Sequence, residues 1–253
     1  MKCQLHACLV VAGCALASCQ PTADAQARPG GAAEPSRPAK PDRDAPGARF
    51  ERDMMMRFHM HASFDLARAV ERVLIRGKLE DARPLAAALA SAAEPPGLAP
   101  WAAQLALVRT RAQAVAGAPG IDEACRGAAR LAEACARCHI DTRAQAEFQS
   151  PPAAPEDRDT VAARMARHQW AVNRIWEGMV GGADDAWTAG LEVLATTPLP
   201  WPKIEPERAK LASRLQQLAV QAKRVPAAGL ADRARIYGDI LVTCAACHAP
   251  PTR

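Results

Sequence analysis

The chain has 253 residues, 49% of them hydrophobic and only 4% aromatic, and a formal net charge of +5. This length accommodates one or two domains with their own buried cores. The 32 basic residues barely exceed the 27 acidic ones, and no basic run is interleaved with aromatics, so the charge pattern argues against nucleic acid as a partner.

Residues 1–19 read as an export signal. Lys2 provides a thin positive start, and the apolar run through Leu9, Val10, Val11, Ala12 and Leu16 is too short to span a bilayer. The segment closes with Leu16-Ala17-Ser18-Cys19, which resembles a bacterial lipobox. That resemblance implies acylation of Cys19 and a tether to a membrane on its periplasmic side. Ala15-Leu16-Ala17 and Ala23-Asp24-Ala25 also satisfy the small-residue rule of ordinary signal peptidase, so simple cleavage is the alternative. Loss of Lys2 with the signal leaves 31 basic residues against 27 acidic ones.

Residues 20–49 consist mainly of Pro, Ala, Gly, Arg and Asp, with almost no large apolar side chain, and are expected to form a disordered tether. Two units of similar size follow, residues 50–146 and 157–253, separated by a Pro-rich linker at 147–156. In the first unit the punctuation at Gly77, Pro95-Pro96-Gly97 and Pro119-Gly120 predicts helices over 51–76, 79–91, 100–117 and 120–146. In the second, Gly181-Gly182, the Pro198 to Pro206 stretch and Pro226 predict helices over 157–180, 183–196, 205–224 and 229–248. Ala, Leu, Arg, Glu and Gln dominate these segments and none alternates like a strand, so the expected fold class is all-α, two tandem four-helix bundles.

Each unit ends in the same pentapeptide pattern. Cys135-Ala136-Arg137-Cys138-His139 recurs 109 residues later as Cys244-Ala245-Ala246-Cys247-His248, and Cys-x-x-Cys-His is the covalent attachment signal for c-type haem. On a helix the two cysteines and the histidine fall within an arc of roughly 100°, so both thiols and the imidazole can address one porphyrin. A redox disulfide or half a zinc site is the competing reading of one such motif. Two copies, each alone at the end of its own segment, favour two covalently bound haem c groups, with His139 and His248 as proximal iron ligands. Of the nine cysteines, three leave with the signal, Cys19 is the lipidation candidate and four serve the motifs, so Cys125 is left as a small buried apolar residue.

The same 109-residue offset sets Met56 against Met165, His59 against His168, Gly120-Ile121 against Gly229-Leu230 and Leu131 against Ile240, while the middle of the repeat needs gaps. Only Ala249-Pro250-Pro251-Thr252-Arg253 follows His248, so a second axial ligand is expected upstream. A haem motif at the end of a four-helix unit resembles cytochrome c′ and its low-spin relatives. On the first helix, Met56, His59, Ser63, Leu66, Val70 and Val73 follow helical spacing, as do Met165, His168, Val172, Ile175 and Met179 in the second unit. His59 and His168 each lie 80 residues before the proximal histidine and are the expected distal ligands, with Met56 and Met165, one turn earlier, as the alternative. An open distal side is the third arrangement. His61 is expected to face solvent, and Met54, Met55, Met60, the tryptophans and Tyr237 are expected to pack.

No acid/base or nucleophile constellation accompanies the motifs, so the expectation is a non-enzymatic, exported dihaem carrier of single electrons between redox proteins. The cytochrome c′ resemblance implies a haem-based gas-binding or sensing protein as the alternative, and a homodimer as one assembly it allows.

Overall fold

Pro46 opens the first helix at the position where a missing N–H costs nothing, and α1 then runs to Ile75. The structure, a computed structural model, describes residues 46–93, 98, 101–144, 148, 151–197, 205–225 and 229–249. The expected signal, Cys19 and the tether up to residue 45 lie outside the described residues, whereas 46–49, read from composition as tether, belong to α1. The remaining helices are α2 Leu79–Ala90, α3 Ala102–Ala116, α4 Ile121–Thr142, α5 Val161–Gly181, α6 Asp184–Thr196, α7 Pro206–Ala222 and α8 Leu230–His248. All described secondary structure is helical, in agreement with the all-α expectation.

Local chemistry accounts for the helix ends. Thr160 caps α5 by accepting a hydrogen bond on its hydroxyl oxygen from the Ala163 N–H, and Pro206 starts α7. α1 and α5 stop in the same way. Gly77 and Gly182 adopt φ of 70° and 66°, and the following N–H groups, of Lys78 and Ala183, reach back to the carbonyls of Val73 and Gly178. This is the six-to-one bond of a glycine-terminated helix, which only a residue without a Cβ forms free of strain.

Consecutive helices pack in order within each half, α1 on α2, α2 on α3 and α3 on α4, then α5 on α6, α6 on α7 and α7 on α8. α5 and α6 approach closely because glycines lie between them. A Cβ on Gly178 would sit 2.5 Å from the Trp187 nitrogen, and one on Gly190 2.5 Å from the Ala171 oxygen. The halves do not stand apart across the proline-rich linker. The eight described helices belong to one compact unit, and α4 lies extensively against α8.

That seam is antiparallel. A Cβ on Gly238 would stand 3.2 Å from the Arg126 Cα and 3.6 Å from the Ala129 Cβ, and Arg126 pairs with Asp239 at 3.5 Å. Farther along α4, Arg130 and Glu133 share a groove with Ala231, Ala234 and Arg235, so rising numbers on one helix meet falling numbers on the other. Ala129 and Gly238 are equivalent positions of the 109-residue repeat, and their meeting marks a local two-fold axis between the halves. The same operation relates Gly182 packed on Ile140 to Gly77 packed on Ala249. Each half therefore sets the end of its first helix against the end of the other half's motif helix.

Buried positions reveal the true register of the repeat. In α4 and α8 the fully covered pairs Leu131/Ile240 and Ala132/Leu241 keep the 109-residue offset. In α3 and α7 the pairs Ala112/Ala219 and Val115/Ala222 are offset by 107. In α1, α5, α2 and α6 the pairs Val70/Ile175, Leu74/Met179, Ala86/Leu191 and Leu89/Leu194 are offset by 105, as are Gly77 and Gly182. Sliding the first helices by 109 instead of 105 displaces them by four residues, about one turn, which preserves the apolar face and hides the error.

Candidate functional site

Both motifs lie within helices, the first on α4 and the second on α8, and none of their four cysteines is in a disulfide. Cys244 is buried, Cys135, Cys138 and Cys247 are partly buried, His139 is partly buried and His248 is exposed. Burial pushes the Cys135 thiol up to about 12 and raises Cys244 further, and it also raises Cys138 and Cys247. All four are thiols at neutral pH. A dithiol of the thioredoxin type works through a lowered thiol pKa, so these environments do not suit that chemistry.

A structural zinc site is also unsupported. Among the described residues no group of three or more His, Cys, Asp and Glu converges as a metal cage. Haem makes a smaller demand on the protein, because the porphyrin supplies four nitrogens and the chain only one or two axial donors.

The imidazoles meet that demand. His139 Nδ1 lies 3.0 Å from the Val180 carbonyl oxygen at the end of α5, so the ring donates its Nδ1–H there and leaves Nε2 as a lone-pair donor. Burial lowers the His139 pKa, which favours the neutral ring. His168, on α5, has a buried Nε2 with no hydrogen-bond partner among the described residues. A buried imidazole nitrogen without a partner calls for an explanation, and an absent iron bond is one. Burial first, then the charge of His248, then that of Arg167, holds His168 down at about 4, so it is neutral at pH 7. The charge of His248 on α8 is thus felt by His168 on α5. Burial, then the charges of Arg208 and Arg76, lower the His248 pKa.

The first half differs. His59 and Met56 are partly buried on a stretch of α1 whose fully covered positions begin only at Ala67. Counting back from the equivalent glycines corrects the expected pairing. His168 lies 14 residues before Gly182, and the residue 14 before Gly77 is Ser63, not His59. By the same count Met165 corresponds to Met60 and not to Met56. The 109-residue match of the two histidines holds in the sequence and falls one turn out of register in the fold.

Several expected packing roles hold. Cys125 is fully buried, with its thiol pushed up to about 12 by burial, and His61 is exposed. Met54 and Met55 are exposed, contrary to the packing expected of them, and they lie on the stretch of α1 that precedes its first buried residue, Ala67. Sequence reasoning missed Glu71. This fully buried carboxylate on α1 accepts a 2.8 Å hydrogen bond from the Tyr237 hydroxyl on α8 and raises the pKa of Cys244. Its position beside Val70 on the apolar stripe was the available signal, but an acid there reads equally well as the edge of a solvent face.

No helix among the described residues is long and apolar enough to cross a membrane. Comparison with protein-family models, with curated proteins and with solved structures found no match.

Proposed function

We propose that the chain is an exported c-type cytochrome carrying two covalently bound haem c groups, which passes single electrons between redox proteins. The observation that carries this reading is the buried Nε2 of His168 on α5, which has no hydrogen-bond partner among the described residues and whose ring is held neutral by burial and by the charge of His248 on the helix that bears Cys244 and Cys247. Cys135 and Cys138 would hold one haem through thioethers and Cys244 and Cys247 the other, with His139 and His248 as proximal ligands. Haem supplies one-electron chemistry at iron when bound. His139 is oriented for its part by Val180, and burial keeps the His168 ring neutral and fit to donate its lone pair. Burial differs between the proximal ligands, with His139 partly covered and His248 exposed, and such differences in solvent access are a means of setting potential.

The N-terminal segment supports a location on the periplasmic side of a bacterial membrane, held there by acylated Cys19. The expected test is the intact mass of protein matured in a host competent for haem attachment. The mass should exceed that of the polypeptide by two haems, and Cys135→Ala with Cys138→Ala should reduce the gain to one. A bare polypeptide mass from that host would end this reading.

A further inference from the structure

The proposal rests on the haem reading above and concerns what the two halves do differently. We infer that Ser63 occupies in the first half the place that His168 holds in the second, so that only the second site offers two imidazoles to its iron, while the first keeps a coordination position for a small exogenous ligand.

Two structural marks fix the register independently. Gly77 and Gly182 end α1 and α5 with the same left-handed geometry and the same six-to-one hydrogen bond, and both pack on the end of a motif helix, against Ala249 and Ile140 respectively. The buried pairs Val70/Ile175 and Leu74/Met179 repeat the same 105-residue spacing. From these marks His59 stands four residues beyond the position equivalent to His168, about 6 Å farther along the helix axis. An axial bond tolerates a small fraction of that displacement.

Ser63 does not replace the missing imidazole. A neutral hydroxyl is a poor donor to haem iron, whereas imidazole suits it. The residue after it, Phe64, packs against Phe148 with ring centroids 5.5 Å apart, and Arg68 lies over the Phe64 ring at 5.8 Å. Phe148 belongs to the chain just beyond α4, so the α1 turn carrying Ser63 and Phe64 is the turn that meets the segment leaving the first motif. Because the Arg68 guanidinium over that ring would attract an anion by itself, a neutral ligand is the one whose binding reports on the iron. Carbon monoxide serves as the probe, since it binds ferrous haem by a single coordination bond with no electron or proton transferred.

The experiment uses the full holoprotein, with two haems verified by mass, and counts carbon monoxide bound per reduced chain alongside the low-spin and high-spin fractions in the visible spectrum. The wild type should be half low-spin and bind one carbon monoxide. His168→Ala should be wholly high-spin and bind two, His59→Ala should match the wild type, and Ser63→His should become wholly low-spin and bind none. A wild type that is fully low-spin and binds none, with the loss repaired to one by His59→Ala, Met56→Ala or Met60→Ala, overturns the inference and leaves the haem reading intact. A wild type that binds two also overturns it, by removing His168 as a ligand. Protein without added haem mass defeats both readings together.

Discussion

Glu71 is the residue whose chemistry is most at odds with its place. Full burial is the largest influence on it and holds its pKa up at about 7 from an ordinary 4.5, against the lowering effects of the Tyr237 hydrogen bond, Arg68 and Arg72. Its other oxygen, Oε2, has no hydrogen-bond partner among the described residues. Between pH 4.5 and 7 the folded chain holds a proton that the unfolded chain has released, so stability is greatest at the acid end and falls as pH rises through about 7. The difference amounts to roughly 3 kcal/mol at 1.36 kcal/mol per pKa unit. Glu71→Gln keeps an acceptor for Tyr237 and should flatten this slope, giving a protein more stable than wild type above pH 7. Urea denaturation at pH 5 and pH 8 would check it, and equal slopes for the two proteins would refute the assignment. The acid lay in plain view in the sequence, yet its burial did not, because α8 brings Tyr237 to it from 166 residues away.

At the scale of elements, α4 ends in a way that α1 and α5 do not. Arg143 takes the left-handed position with φ of 53°, where those helices use glycine, and the Ala144 N–H closes the cap on the carbonyl of the motif histidine, His139. A side chain in that region costs about 1 kcal/mol, which glycine relieves in part through its freedom of backbone conformation. Arg143→Gly should raise the denaturant midpoint by the equivalent of about 0.5 to 1 kcal/mol with an unchanged slope. The existence and approximate limits of all eight helices were legible, because glycine and proline punctuate the chain between long runs of helix formers. The register of the repeat was less so. A one-turn slip leaves the apolar stripe in phase, and only the equivalent helix ends separate Ser63 from His59 as the counterpart of His168.

At the scale of the molecule, α4 and α8 cross in antiparallel fashion, with small residues at the seam and the two motifs pointing to opposite ends. Cys135 and Cys244 each lie six residues from the Ala129/Gly238 meeting point, which places them about 18 Å apart along the helices at 1.5 Å per residue. The halves are bound by this seam and by ties such as His139 to Val180, Arg68 to Glu177 and Glu71 to Tyr237. Cleavage of the chain between residues 151 and 155 should therefore leave both fragments together in gel filtration under native conditions. Separation of the fragments without denaturant would show that the linker, and not the seam, holds the halves.

The all-helical class and the duplicated Cys-x-x-Cys-His pattern follow from short-range features, namely residue spacing and helix-breaking residues, which act over a few positions and survive without a fold. Three matters belonged to tertiary structure alone: the union of the halves about a local two-fold, the burial of Glu71, and the shift that gives His168 no histidine counterpart on α1. Each depends on which distant helices meet and at what level. Helical periodicity repeats with every turn and carries no information about level, so contacts between helix ends had to supply it.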